Sequence, residues 1–324
     1  MPQKPTVLVT RRLPDAVEER LRRDYDAQLN AEDRVIAAAE LIQRSAAADA
    51  LLVSPTDRID GALIEALAPR VRCIATYSVG FDHVDVAAAR RRGIVVTNTP
   101  DVLTEATADI AILCLLGAAR RAHEAQTVLR AGAWKRWTPT EFRGVDLAGK
   151  RLGIVGMGKI GKAVARRASG FGLQILYHDL VRVPADHPVP MTYVAELDRL
   201  IEQSDFLSLH APGTAENTHL LNAARIARLP KGAVVVNTAR GNLVEDAALI
   251  AALESGHLAG AGLDVFAGEP NFDRRYLTAP NCFLLPHIGS ATFGTRDAMG
   301  FRALDNLDAF FAGRNPPDNV SGKS

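Results

Sequence analysis

The sequence predicts an α/β protein built from two doubly wound, parallel-sheet domains. Three observations carry that reading. Short apolar runs alternate with helix-like stretches along most of the chain, the pattern of parallel strands covered by helices. At 324 residues the chain is longer than one hydrophobic core usually serves, which favours two domains. Residues 152–161 read LGIVGMGKIG, a glycine-rich turn joining an apolar strand to an amphipathic helix, as found at the first crossover of a nucleotide-binding sheet.

Taken in order, apolar runs at Thr6–Val9, Ala50–Val53, Arg72–Thr76 and Ile94–Thr97 predict the strands of the first domain. Helical stretches such as Ala16–Arg23 and Gly61–Ala68 separate them. Asn98-Thr99-Pro100 interrupts the pattern and places a hinge near Pro100. One long helical pattern then runs from Thr104 to about Ala131. The second domain follows, with strands expected at Arg151–Val155, Leu173–His178, Phe206–Leu209, Ala233–Asn237, Gly260–Val265 and Phe283–Leu285, and a helix at Glu245–Ser255. Beyond His287, Phe301, Leu304, Leu307 and Phe311 mark one amphipathic helix that has no strand of its own to follow and is expected to return to the first domain. The polar end, Pro316–Ser324, is expected to fray. The predicted division is therefore 1–100 and 287–324 in one domain, with 101–286 as the other.

A formal net charge of +1 provides no electrostatic footprint for nucleic acid, and Arg90–Arg92 reads as the solvated face of a helix. Cys73, Cys114 and Cys282 are odd in number, far apart and each in an apolar stretch, so buried thiols in a reducing compartment are expected rather than disulfides or a metal site. Ile110–Ala119, the most apolar run, has about half the ~20 residues that span a bilayer. No basic segment followed by an apolar core opens the chain, and the expected location is the cytoplasm, with no membrane partner.

The glycine turn carries the first functional reading. Gly156, Gly158 and Gly161 allow a sharp turn, a close approach to a pyrophosphate and tight helix packing, while the first helical turn, with Lys159 and Ile160, offers backbone amides to the phosphates. Asp179, eighteen positions after Gly161, ends the next strand, where a carboxylate accepts hydrogen bonds from ribose hydroxyls and repels a 2′-phosphate. A nicotinamide dinucleotide is the implied cofactor. NAD is favoured over NADP, although Arg182 three residues on leaves NADP open. Gly156–Lys162 also fits most of a Walker loop, but Ala163 stands where a magnesium-binding Ser or Thr is required.

Three ionisable residues fall where predicted strands end, which in an open parallel sheet is the ligand crevice. Arg240 follows Ala233–Asn237, Glu269 follows Gly260–Val265, and His287 follows Phe283–Leu285. Hydride transfer to a 2-oxo acid needs a cation for the carboxylate and a proton donor for the carbonyl oxygen. Arginine suits the first task because its planar fork meets a carboxylate with two parallel hydrogen bonds. Histidine suits the second because it titrates near neutrality. Glu269, hydrogen-bonded to the imidazole, would hold the ring's orientation and favour imidazolium. Asp264 either accepts a hydrogen bond from the nicotinamide carboxamide or is a structural turn residue.

These motifs resemble the D-isomer-specific 2-hydroxyacid dehydrogenases along nearly the whole chain, and within them most resemble glyoxylate/hydroxypyruvate reductases. Ser78-Val79-Gly80-Phe81-Asp82-His83 is similar to the family's substrate loop, which implies that the Val79 and Gly80 amides hold the substrate carboxylate beside Arg240. Thr107 is similar to a phosphate contact at the start of the interdomain helix. Asn237-Thr238-Ala239-Arg240-Gly241 resembles the segment with the catalytic arginine, and there Thr238 and Ala239 would line the cofactor. Gly262-Leu263-Asp264-Val265 with Gly268-Glu269-Pro270 resembles the strand and acid. Pro286-His287-Ile288-Gly289-Ser290 resembles the catalytic histidine segment, with Gly289 near the cofactor and Ser290 near the substrate. The resemblance further implies a Rossmann domain inserted in a flavodoxin-like substrate domain, and closure of the two over ligand. Residues 132–139 look like the arm through which family members form homodimers, with Trp137 at the position that reaches the neighbouring subunit's substrate pocket; packing within one chain is the other reading. No metal is implied.

Formate dehydrogenase is disfavoured because Gln is expected in place of Glu269. Phosphoglycerate dehydrogenase often has a C-terminal regulatory domain for which no residues remain. A 2-hydroxyacid dehydrogenase with a bulkier substrate stays open, as does a dinucleotide-sensing corepressor on the same scaffold, whose members can keep all three catalytic residues.

Overall fold

The computed structural model describes residues 4–184 and 187–322. It divides into two compact units, one made of the residues up to Leu103 together with those from Ser290 onward, the other of Thr104–Gly289.

In the first unit, β1 (Thr6–Val9), α1 (Asp15–Asp24), β2 (Asp26–Gln28), α2 (Ala38–Ser45), β3 (Ala50–Val53), α3 (Gly61–Ala66), β4 (Cys73–Thr76), α4 (Val86–Arg91) and β5 (Val95–Thr97) follow in turn. The strands pair in parallel in the order β2-β1-β3-β4-β5, the flavodoxin-like order with its reversal beside β1. β1, β3 and β4 are buried at every residue, as expected of strands covered on both faces. Asp60 and Asp85 start α3 and α4 by accepting the amides of Leu63 and Ala88, satisfying donors that a helix start leaves open.

The second unit opens with α5 (Thr104–Ala119) and α6 (Ala122–Arg130). The single helix expected here is broken because Arg121 adopts φ +51°. The Ala119 carbonyl accepts from Val145 N at 2.8 Å rather than from a further helical turn, and Gly144 lies so close that a Cβ there would sit 2.2 Å from that oxygen. Then come β6 (Arg151–Val155), α7 (Lys159–Ser169), β7 (Gln174–His178), β8 (Met191–Tyr193), α8 (Leu197–Gln203), β9 (Phe206–Leu209), α9 (Ala223–Ile226), β10 (Ala233–Asn237), α10 (Asp246–Glu254), β11 (Leu258–Leu263) and β12 (Cys282–Leu284). All seven strands are parallel, in the order β12-β11-β10-β9-β6-β7-β8. This is the doubly wound Rossmann arrangement with one added edge strand, and its switch point lies between β6 and β9.

The chain then returns to the first unit as α11 (Phe293–Phe311). Met299, Ala303, Leu304 and Leu307 pack with Val7, Val9, Leu52, Cys73 and Ala75, so the last helix completes the core of the first sheet. The segment after it does not fray as its polarity suggests. Asp318, 5% exposed, accepts two hydrogen bonds from Arg302 at 2.5 and 2.8 Å and one from Asn306 Nδ2 at 2.9 Å, and Val320 N donates to Val96 O. Polar residues hold this end because they pair with buried partners; Lys323 and Ser324, also expected to fray, lie outside the described residues. Among the described residues, no helix is long and apolar enough to cross a membrane.

Candidate active site

The glycine turn has three different environments. Gly156 sits at φ +91°, and a Cβ there would come within 2.7 Å of the His210 backbone, so the turn packs against the start of the loop after β9. At Gly161 a Cβ would lie 2.2 Å from Gly156 O, which locks helix to turn. Gly158, by contrast, has nothing within 4 Å of where a side chain would begin. It begins α7 and, as a glycine, supplies no side-chain cap to the first turn at Lys159 and Ile160. An open surface over uncapped amides fits an anionic group.

Asp179 follows β7 and accepts from Met157 N at 2.6 Å and from Val181 N at 3.1 Å. The turn itself therefore holds the carboxylate, and each oxygen keeps a lone pair for a further donor. Leu180 and Val181 beside it are 96% and 75% exposed, an unusual apolar pair on a surface. The Arg182 guanidinium lies over the Tyr193 ring.

Adjacent strands β10, β11 and β12 deliver the reactive groups. Asn237, the last residue of β10, is buried and braces the next turn: its Nδ2 donates to Arg240 O at 2.8 Å and its Oδ1 accepts from Ala239 N at 3.1 Å. The Arg240 stem lies against Gly213, where a Cβ would be 2.7 Å from Arg240 Cγ. Gly241 touches the loop after β11 so closely that a Cβ would fall 1.9 Å from Phe266 C. That approach brings Arg240 toward Glu269, whose Oε2 accepts from Phe266 N at 3.1 Å. Glu269 Oε1 meets His287 Nδ1 at 2.5 Å. Burial pushes the Glu269 carboxyl up, but the His287 hydrogen bond and charge, the Phe266 amide and the Arg240 charge outweigh it, and the net shift is below the ordinary glutamate value. Glu269 is thus an anion through the neutral range. The imidazole is engaged at Nδ1 and 42% of its side chain is exposed, leaving Nε2 as the nitrogen available to a substrate.

His287 itself sits at φ +55°, a conformation an ordinary residue seldom adopts. It belongs to the unit that contains Arg240 and Glu269, although the predicted boundary put it in the returning segment. Asp264 is the reason. This carboxylate is 1% exposed and accepts from Ile288 N at 2.7 Å and Gly289 N at 2.8 Å, pinning the loop that presents His287. Burial raises its pKa. Asp264 is therefore placed as a structural anchor under the histidine loop. A Cβ on Gly289 would lie 3.2 Å from Asp264 Oδ2 and 3.4 Å from the Thr107 methyl, so Thr107, Asp264 and Gly289 meet.

A dinucleotide fits this chain on a further observation: among the described residues, Thr238 Oγ1, just before Ala239 and Arg240, is buried without a hydrogen-bond partner. A buried hydroxyl seldom stays unpaired unless a missing group supplies the bond. His210, which the sequence reading did not single out, follows β9 next to Gly156 and bonds Ser208 Oγ through Nε2 at 2.8 Å. Burial pushes it down to about 4, so it is neutral at working pH and does not compete with His287 as an acid.

The remaining predicted residues belong to other segments of the chain. Val79 and Gly80 follow β4 in the first unit, and Ser290 begins that unit's returning segment. Trp137 and Trp134 are 77% and 55% exposed on the irregular stretch after α6, a helix that itself buries no residue. Both indoles are more exposed than buried, Trp137 the more so.

The family profile for the D-isomer specific 2-hydroxyacid dehydrogenase NAD binding domain matches residues 112–289. A glycerate dehydrogenase from Hyphomicrobium methylovorum is 45% identical over 312 residues, covering 96% of this chain and 97% of that protein. A glyoxylate reductase from Thermococcus gammatolerans is 44% identical over 322 residues, covering 98% and 96%. Among solved structures, the NADPH-dependent glyoxylate/hydroxypyruvate reductase of Sinorhizobium meliloti, in complex with NADP and malonate, superposes with a TM-score of 0.88 at 38% identity, over 98% of this chain and 97% of that one.

Proposed function

The chain belongs to the D-isomer specific 2-hydroxyacid dehydrogenase family, and from that premise we propose that it reduces a small 2-oxo acid, glyoxylate or hydroxypyruvate, to the 2-hydroxy acid with NADH. The observation that carries this reading is the Glu269–His287 pair beside Arg240 at the ends of three adjacent strands. Bound dinucleotide supplies the hydride. The helix start at Gly158, Asp179, the Thr238 hydroxyl and Thr107 are the groups that would hold it, and the Asp179 carboxylate favours NAD by repelling a 2′-phosphate. NADP use remains within this reading, since the relative from Sinorhizobium meliloti is NADPH-dependent.

Arg240 and the Val79 and Gly80 amides take the substrate carboxylate in this reading. His287 Nε2 then donates a proton to the substrate's carbonyl oxygen as negative charge develops there. Anionic Glu269 at Nδ1 fixes the ring and stabilises the positive charge that the imidazole holds before the transfer. In the reverse direction the same nitrogen accepts the hydroxyl proton.

The arm after α6 supports a homodimer, because Trp134 and Trp137 are amphipathic aromatic groups of the kind that anchor interfaces. Three buried, unbridged cysteines suit a reducing compartment, and the cytoplasm is the assignment we make. The deciding experiment follows NADH absorbance on addition of glyoxylate, hydroxypyruvate, pyruvate or phenylpyruvate, repeated with NADPH. Turnover fastest with the first two supports the proposal. Cofactor binding without turnover of any acid would point instead to a sensor, and fastest turnover of phenylpyruvate to a bulkier substrate.

A further inference from the structure

In the loop after β4, three successive carbonyls are tied down. Ser78 O accepts from Thr99 N at 2.8 Å, Val79 O from Asn98 Nδ2 at 2.8 Å, and Gly80 O from Ser78 Oγ at 2.6 Å. Among the described residues, neither the Val79 nor the Gly80 amide donates to the protein. Because a trans peptide is planar, its N–H points opposite to its C=O. Fixing Ser78 O therefore aims the Val79 N–H, and fixing Val79 O aims the Gly80 N–H. The second of these depends on one side chain, that of Asn98.

Asn98 is 8% exposed and is itself held by the end of the chain. Its amide donates to Asp318 O at 3.3 Å, and its carbonyl accepts from Asn306 Nδ2 at 3.1 Å. Asn306 in turn exchanges hydrogen bonds with Asp318, Nδ2 to Oδ2 at 2.9 Å and Asp318 N to Oδ1 at 3.0 Å, and Arg302 neutralises the carboxylate. The relay runs Arg302, Asp318, Asn306, Asn98, Val79. All of it lies in one unit of the fold.

We propose that Asn98 is a positioning residue for the substrate: its side-chain amide, set on a backbone braced by Asn306 and Asp318, holds the Val79–Gly80 peptide so that Gly80 N–H is presented to the carboxylate of the 2-oxo acid. This rests on the function proposed above. It gives the chain's last residues a task in substrate binding without any contact to substrate.

The test compares Asn98→Ala with Asn98→Asp, each shown to be folded by thermal unfolding. In N98A the KM for glyoxylate should rise about tenfold, the loss expected for one hydrogen bond to a charged group, with kcat little changed and NADH affinity by fluorescence titration unaltered. N98D keeps the shape of the side chain but sets an oxygen against Val79 O, so its KM should rise more than that of N98A. It also keeps the test open should the alanine variant unfold. Oxalate binding to the NADH complex, followed by calorimetry, should weaken in the same order. A packing role predicts the reverse ranking, because Asp fills the space of Asn. KM values equal to wild type, or N98D behaving as wild type while N98A is impaired, would overturn the relay alone. A wild-type protein that reduces neither glyoxylate nor hydroxypyruvate would overturn the proposed function, and the relay with it.

Discussion

His287 holds its backbone at φ +55°, a region that costs a residue with a side chain on the order of 1–2 kcal/mol. The conformation persists because Asp264 grips the two following amides and Glu269 grips the ring. Strain of this kind, over-determined by its surroundings, is typical of a functional position. Replacing His287 with Ala should leave NADH affinity intact and lower kcat by about 10²–10⁴-fold, the range for loss of a general acid; stopped-flow turnover and cofactor titration check both halves. Glu269 carries a pH signature. Its folded pKa lies below the ordinary value, so its contribution to stability is present above the unfolded value and is lost as pH falls through the folded one. The Tm advantage of wild type over Glu269→Gln should therefore shrink as the pH falls through the acid range, as a calorimetric pH series would record. Asp179 acts by repulsion, and Asp179→Ala should lower the ratio of kcat/KM for NADH to that for NADPH.

At the scale of elements, the close approach of the loops after β10 and β11 is what joins Arg240 to the Glu269–His287 pair. Gly241→Ala puts a methyl 1.9 Å from a backbone carbon. It should cost about 1–3 kcal/mol, as overpacking does, and lower kcat/KM for the 2-oxo acid more than it lowers cofactor affinity; unfolding curves and steady-state kinetics together would register the two effects. The elements differ in how plainly the sequence announces them. β1, β3, β6, β9 and β10 are short, mostly apolar runs, because both faces of each are covered, and their limits are readable directly. β2 and β8 are three-residue edge strands with exposed or half-exposed side chains, and nothing in Asp26-Ala27-Gln28 distinguishes a strand from a loop. The break between α5 and α6 is set by Val145, some twenty residues away, so helical periodicity runs straight across it. The site shows the same division. Glycine turn, Arg240, Glu269 and His287 stand out by residue type and order, whereas Asn98 and Asn237 work through backbone bonds that only the folded chain defines. Asp264 is visible in the sequence as an acid at a strand end, but its grip on the His287 loop is not.

For the whole molecule, the exposed arm after α6 bears on assembly. Trp134→Ala together with Trp137→Ala should shift a dimer toward monomer in sedimentation velocity while leaving the Tm of the isolated chain little changed, since both rings are mostly exposed within it. The other large-scale feature is that the first unit is finished by the last helix. While the polypeptide is being synthesised, the sheet of β1, β3 and β4 emerges early, yet the helix that shields one of its faces is encoded about 190 residues after Leu103. At about 5–20 residues per second, the nascent chain leaves the ribosome for roughly 10–40 s with Val7, Val9, Leu52 and Ala75 lacking their cover. A messenger ending at the codon for Gly289 would make that interval permanent, and its product should appear in the pellet rather than the supernatant of a translation reaction unless a holdase chaperone takes the place of α11.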